Sequence, residues 1–348
     1  MRNFDYVIGR SLVIVGLILS SFSPVCGSQI IPGIDVANQA EASCAINDKG
    51  NWIAGGNLCI VVDGKVVQNI DVSDGYGVAC GINSSGNWIA AGNLAVAVNG
   101  EIIPKLDIAD RPTVGDDEDE SDYFTRPGAS INDNGDWIAA GNKAVAVNGK
   151  IIAGIDVSNN QGAGCDINNK GDWIAAGNLC IVVNGKVIPG IDIADAHGGA
   201  SCAINENGDW IAAGNMCVVV NGKVIPKLDV SIARSASCDI NNNGNWIAGG
   251  NLGIAVNGNI ITDVDVSQDS DTTCAINESN IWIAAGNMGV ALNGKWVPGL
   301  DVSNARGASC DINNQGAWVA AGNTGVAYGT ARETRSISLF DQLHAMKR

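Results

Sequence analysis

Histidine is nearly absent: His197 and His344 are the two among 348 residues. The chain also has no G-x-S-x-G elbow, no H-E-x-x-H pair and no P-loop, so the usual means of activating a nucleophile, holding a catalytic zinc or cradling a nucleotide are missing. Basic residues are scarce, 20 against 36 acidic ones, for a formal net charge of −16. That balance repels nucleic-acid backbones and anionic lipid surfaces. A protein or a glycan remains as partner. Long apolar runs are missing after the N-terminal region, because Gly and Asn interrupt the chain every few residues, and no stable membrane span is expected.

The first residues are different. "MRNFDYVIGR" carries Arg2 and Arg10 and leads into "SLVIVGLILSSF" and then "SPVCGS". A charged start, a short apolar run and small residues after it have the form of a cleaved secretory signal over residues 1–27. The mature chain is expected to be a soluble monomer, secreted or periplasmic.

What the sequence has in abundance is itself. Trp52, Trp88, Trp137, Trp173, Trp210, Trp246, Trp282 and Trp318 recur at intervals of 36 or 37 residues, with one interval of 49. Each unit breaks into four short apolar runs separated by turn signals, and periods of this length point to blades or solenoid coils. The pair Asn-Gly between the third and fourth runs favours the left-handed backbone of a two-residue hairpin turn. The preceding "INxxGxW" supplies an Asn that bonds its own backbone and a Gly suited to positive φ. Reversal at every turn makes the strands antiparallel, which excludes a parallel β-helix. The last unit stops after "GVAYG" without a fourth run, and the mature N-terminus begins with an orphan one, "QIIPGIDV". Together they complete one blade and close a ring, removing exposed sheet edges. The expected fold is an all-β, eight-bladed β-propeller over residues 28–329, with an inserted loop at 109–128 and a C-terminal tail at 330–348.

Segments such as "SCAINDKGNWIAGGN" and "GCDINNKGDWIAAGN" resemble the core of the HAF extracellular repeat proteins, bacterial secreted proteins whose repeats suggest propeller-like folds. The resemblance covers most of residues 29–328. It implies export and a propeller, and it carries no shared activity.

Seven of eleven cysteines occupy one repeat position, Cys44, Cys80, Cys165, Cys202, Cys238, Cys274 and Cys310, where the eighth copy has Ala129. A place that accepts Cys or Ala wants a small apolar side chain. With Cys59 expected about two strand spacings from Cys44, across Ala54, the thiols are expected to stay free. The repeated Trp alternates with an Ala present in every unit, which suggests interlocking between blades rather than a sugar-stacking platform.

Asp35, Asp71, Asp107, Asp156, Asp192, Asp229, Asp265 and Asp301 end the expected fourth strand of each unit, level with an Asn in the turn between strands two and three. Their expected work is to bond the adjacent turn. A ring of calcium sites is the competing idea, since carboxylate and carboxamide oxygens are hard ligands; no other cofactor is implied. Individual residues enter only in the inter-blade loops: Tyr76, His197, Arg234, Arg306 and, in the insertion, Arg111, Tyr123, Phe124 and Arg126. These are the candidate ligand-binding residues, because loops on a rigid scaffold are where binding groups are placed. The insertion carries six acidic residues between Asp116 and Asp122. After it, Leu339, Phe340, Leu343 and Met346 give the tail the spacing of a short amphipathic helix.

Function follows as binding or scaffolding of a protein or surface glycan, without catalysis. A multivalent lectin-like binder is one alternative. A carboxylate-based glycan-cleaving enzyme is another, although such cleavage uses one unrepeated pair of carboxylates and those here are repeated eight times. Deleting residues 111–126 is expected to leave the fold intact and to weaken partner binding; loss of the cooperative melt would make that segment structural instead.

Overall fold

The structure is a computed structural model. It describes residues 29–30, 36–38, 42–73, 77–109, 127–159, 162–195, 198–226, 228, 230–232, 234–261, 264, 266–268, 270–297, 300, 302–303 and 307–331. Eight four-stranded antiparallel sheets follow one another along the chain. In blade I the strands are Ser43–Ile46, Trp52–Gly55, Ile60–Val62 and Lys65–Val66. Blades II to VII repeat this pattern over residues 79–102, 128–151, 164–188, 201–224, 237–261 and 273–296. Blade VIII takes three strands from residues 309–330 and its fourth from the N-terminus, where Gln29 pairs with Tyr328 and Ile30 with Ala327. The ring is an eight-bladed propeller closed as the orphan strand implied.

Each turn has the expected chemistry. Between third and fourth strands, Asn99 and Gly100 both have positive φ, 50° and 87°, and the other Asn-Gly pairs follow, matching the primed turn whose twist suits a hairpin. The turn Asn also points back: Asn99 Oδ1 accepts the Trp88 N–H at 2.8 Å. Between first and second strands, Asn47 Oδ1 accepts the N–H groups of Lys49 and Asn51.

The same Asn does a second thing. Its Nδ2 donates to the main-chain oxygen of the corresponding Asn in the next blade, Asn47 to Asn83, Asn83 to Asn132, and so on. Asn313 then donates to Asn47 O at 2.8 Å, joining the last blade to the first. All eight are buried.

The core lies between blades. The second strand is apolar throughout because neighbouring sheets cover both its faces, and Ile53, Ile89, Ile138, Ile174, Ile211, Ile247 and Ile283 are fully buried. Trp246 packs against Ala203, Ile211 and Ala213 of the preceding blade. Six of the eight repeat tryptophans are buried, with Trp52 and Trp173 half-buried, so these rings serve interlock, as their alternation with Ala suggested. Among the described residues the ten cysteines form no disulfide. Cys238 Sγ donates to Ser201 O and Cys274 Sγ to Ser237 O, each reaching the preceding blade. One detail of register differs from expectation. Cys44 pairs with Ala54, but Cys59 lies opposite Gly56, whose N–H bonds to its carbonyl, because the second-to-third turn is tighter than the apolar run suggested.

The Asn ring generates a clean test. Asn205→Asp keeps the acceptor for Asn207 and Asp209 but removes the donor to Asn241 O and sets a carboxylate against that carbonyl. Denaturant unfolding is expected to show a loss of roughly 1–3 kcal/mol, the cost of a buried polar group left without its partner. An unchanged midpoint would make the inter-blade bond energetically idle.

Candidate binding faces of the ring

The meander gives the propeller two different ends. One, the turn face, carries the first-to-second and third-to-fourth turns. The other, the linker face, carries the inter-blade segments and the second-to-third turns. First strands stand side by side around the axis, so a channel connects the two.

On the linker face, each inter-blade segment is pinned to the blade that follows it. Val72 O accepts the Leu94 N–H at 2.9 Å, and the equivalent bond recurs in every blade, from Leu58 to Val36 through Thr324 to Val302. The segment passes so close that a Cβ on Gly92 would lie 2.2 Å from Val72 O; this is why the repeat reads Ala-Gly-Asn. The Asn then ties the segment by its side chain, as in Ser158 Oγ to Asn178 Oδ1 at 2.8 Å and Asn178 Nδ2 to Asn159 Oδ1 at 2.8 Å.

The repeated Asp is not that partner. The fourth strand ends early, at Val66 or Ile102, so Asp71 and Asp107 stand on the segment beyond it rather than at its end. The Pro or small turn residues after the strand divert the chain before Asp is reached. Asp71, Asp107, Asp156 and Asp192 are exposed, and Asp107 accepts from Lys143. Asp35, Asp229, Asp265 and Asp301 lie outside the described residues. Among the described residues no three His, Cys, Asp or Glu side chains are grouped to hold a metal ion.

What the linker face does present is apolar. The residue after each turn Asn is Leu58, Leu94, Leu179, Met216, Leu252 or Met288 in six blades, each about half exposed, from 46% to 52%. Lys143 and Thr324 take that place in blades III and VIII. The sequence signal is a large apolar residue in a turn where polar residues are usual. Of the candidate ligand residues, Arg234 is described; it is half-buried, and its carbonyl accepts Ser231 Oγ at 2.8 Å. Tyr76, Arg111, Tyr123, Phe124, Arg126, His197 and Arg306 lie outside the described residues.

At the axis beneath this face is a cavity of about 300 Å³ lined by the repeat cysteines with Ser43, Ser201 and Ser237 among others. Burial pushes the thiols of Cys165, Cys202, Cys238 and Cys310 well up, and neighbouring thiols and carboxylates add to it. They stay protonated at neutral pH, which makes them poor nucleophiles and poor metal ligands.

Deeper in the channel, three blades place Asp where others have Ala, Gly or Ser. Asp166, Asp239 and Asp311 lie on the first strands of blades IV, VI and VIII. Each carboxylate spans two blades. Asp239 Oδ1 accepts the Ile240 N–H and its Oδ2 the Ile276 N–H of blade VII, both at 2.8 Å. Asp166 does the same for Ile167 and Ile204, and Asp311 for Ile312 and Ile46. The channel leaves these groups partly accessible yet walled by protein on every side. Burial therefore pushes Asp239 up to about 7 and Asp311 up to about 6, against the pull of the backbone N–H groups and with help from the other channel carboxylates. Asp166 moves the same way for the same first reason. The arrangement serves to satisfy the inward edge of the sheet.

No family model matches the chain, and no curated protein matches it. Solved structures do. A virginiamycin B lyase from Staphylococcus aureus is 11% identical, with 87% of this chain and 97% of that one covered at a TM-score of 0.47. A streptogramin B lyase is 11% identical, with coverage of 87% and 96% and a TM-score of 0.48. The WD40 β-propeller domain of Doa1 is 13% identical, with coverage of 89% and 97% and a TM-score of 0.47.

The channel carboxyls predict an inverted pH dependence. Their folded pKa values lie above the ordinary carboxylate value, so the folded state binds protons more tightly than the unfolded chain, and stability rises as pH falls from about 7 toward 4. Melting is expected to be higher at pH 5 than at pH 8 by roughly 5 °C. Replacing Asp239 and Asp311 together by Ala, the residue of blades I, V and VII at this place, is expected to flatten that slope, and a slope that persists would assign it to other groups.

Proposed function

We propose that this chain is an exported, non-enzymatic propeller that binds a protein on its linker face. A propeller is a rigid scaffold suited to binding, and the observation that selects a protein is the set of half-exposed Leu58, Leu94, Leu179, Met216, Leu252 and Met288 around the channel mouth. Flexible aliphatic side chains and Met adapt to protein surfaces, and apolar groups gathered on one face of a soluble protein mark interaction sites. Exposed Asp71, Asp107, Asp156 and Asp192 surround them, so the complementary partner carries an apolar centre rimmed by Lys or Arg.

The second reading, a multivalent lectin-like binder, is supported by the eightfold repetition, which presents equivalent sites for avidity. Against it, the aromatic faces that stack on sugars are turned into the core at Trp88, Trp137, Trp210, Trp246, Trp282 and Trp318. A glycan-cleaving role finds less support, because the exposed carboxylates recur from blade to blade while cleavage needs one dedicated pair.

Selection of peptides on the purified protein, paired with a glycan array in calcium and in chelator, tests the proposal. Peptides with an apolar core and basic flanks are expected to be enriched. Changing the six Leu and Met residues to Thr, as blade VIII has at Thr324, is expected to weaken their binding at least about tenfold, the loss of about 1.4 kcal/mol or more. Glycan binding that survives those six changes, with no peptides enriched, would overturn the protein reading.

A further inference from the structure

The turns that build the ring carry a chemical liability. When Gly follows Asn, the absence of a Cβ leaves the glycine main-chain nitrogen open to approach by the asparagine side-chain amide carbon, and asparagine is among the thermolabile residues. The chain holds nine Asn-Gly pairs. Six lie in third-to-fourth turns, at Asn99, Asn148, Asn184, Asn221, Asn257 and Asn293, and three in first-to-second turns, at Asn134, Asn207 and Asn243. All nine are on the turn face.

Eight of the nine amides are tied by their own nitrogen. In the first-to-second turns Nδ2 donates to a main-chain oxygen of the next blade, from Asn134 to Asn169 at 2.7 Å, from Asn207 to Asn242 at 2.8 Å and from Asn243 to Glu278 at 3.0 Å. In the third-to-fourth turns of blades II to VI it donates to the polar residue before the Trp, as from Asn148 to Asp136 Oδ1 at 2.8 Å and from Asn221 to Asp209 Oδ1 at 2.9 Å. Blade VII breaks the pattern. The residue before its Trp is Ile281, which packs on the cluster containing Ala331 and Trp318 and offers the turn no acceptor. Among the described residues, the Asn293 side chain keeps one bond, in which its Oδ1 accepts the Trp282 N–H at 2.9 Å. Asn293 is exposed, and even a Cβ added at Gly294 would meet nothing closer than 3.8 Å.

We propose that Asn293 is a modification site, the Asn-Gly pair at which the folded protein deamidates first. The main-chain nitrogen of Gly294 attacks Asn293 Cγ, a C–N bond forms, the Cγ–Nδ2 bond breaks, and ammonia leaves with the proton that the Gly294 N–H gives up. Water then opens the five-membered imide at either carbonyl, giving aspartate or isoaspartate. The amide has to swing out of the turn before it is attacked, so each hydrogen bond that holds it slows the reaction by making the open state rarer. The fold accepts the first product. Blade I carries Asp63 at this place, and its Oδ1 accepts the Trp52 N–H at 2.8 Å while its Oδ2 accepts from Asn51 Nδ2 at 3.0 Å. Isoaspartate instead adds a carbon to the main chain of a two-residue turn and works against the pairing of Leu292 with Lys295. The inference does not depend on what the opposite, linker face binds.

Peptide mapping of the full chain after incubation in mildly alkaline buffer, reading the amide-to-acid mass gain at every Asn-Gly pair, tests this. Conversion at Asn293 is expected to be at least about fivefold faster than at the eight tied amides, the factor that one net hydrogen bond carries. In the denatured chain that excess is expected to vanish. Ile281→Asp installs the acceptor that blades III, IV and V have as Asp136, Asp172 and Asp209, and is expected to slow Asn293 to the rate of the rest. Asp136→Ala, which gives blade III the residue of blade VIII at Ala317, is expected to speed Asn148 by the same factor, so the proposal stays decidable if the first variant does not fold. A uniform rate across the folded chain, the same excess at Asn293 after denaturation, an unchanged Asn293 rate in an Ile281→Asp protein that still melts cooperatively, or an Asn148 unmoved by Asp136→Ala would each overturn it.

Discussion

Everything in this molecule depends on one hydrogen bond made eight times, from an Asn side chain at the end of a first strand to the main-chain oxygen of the same Asn in the next blade. The residue has to do three things at once. Its Oδ1 takes two N–H groups of its own turn, as Asn205 does for Asn207 and Asp209, and its Nδ2 reaches across to Asn241 O. Asp would supply the first function without the second, and Gln would place the amide one methylene too far for the local turn. Each bond is worth about 1 kcal/mol by itself. Their collective importance is geometric, because the eighth bond, Asn313 to Asn47, exists only when the first and last blades meet at the same spacing as the rest.

That ring uses up the polar groups of one end and leaves the other end to different forces. On the turn face the side chains are engaged with each other, Asn with Asn and Asp with Asn, as in Asn314 and Asp48. On the linker face the equivalent ring is made by main-chain carbonyls, Val72 to Leu94 and its counterparts. A backbone bond fixes the position of a residue without specifying its side chain, so the side chain after the turn Asn is free to be Leu, Met, Lys or Thr. Variation that a structural ring made of side chains forbids is permitted there, and that is the physical reason to look for recognition at this end.

The sequence made the ring legible because its devices are local. Asn-Gly turns, the period of the Trp residues and the missing fourth strand at one end each follow from short-range chemistry, and together they set strand number, direction and closure. The site was harder to read. Asp71 and its counterparts are conspicuous by repetition, yet the fourth strand stops five residues before Asp71, at Val66, and strand ends depend on where neighbouring elements force the chain aside. The turn Leu and Met residues were plain in the string, but whether an apolar side chain in a turn points to solvent or under a neighbour is decided by packing between blades, which no local pattern reports. The same holds for Asp166, Asp239 and Asp311. They read as isolated departures from Cys-Ala-Ile until the ring sets each beside the backbone of the next first strand.

Those three carboxylates also show how an irregular insertion is fitted into a regular ring. Asp166 joins blades IV and V, Asp239 joins VI and VII, and Asp311 joins VIII and I. The remaining pair, II and III, has Gly81 at this place on the first strand, and it is between these two blades that the chain carries its extra residues. The essential contacts survive there: Asn83 Nδ2 still reaches Asn132 O at 2.9 Å, and Ile108 O still accepts the Lys143 N–H at 3.0 Å. The chain is thus pinned to blade III before the insertion begins and enters that blade's first strand after it. The added segment spans two fixed points instead of stretching the joint between blades, and lengthening such a loop costs little because closure entropy grows only with the logarithm of its length.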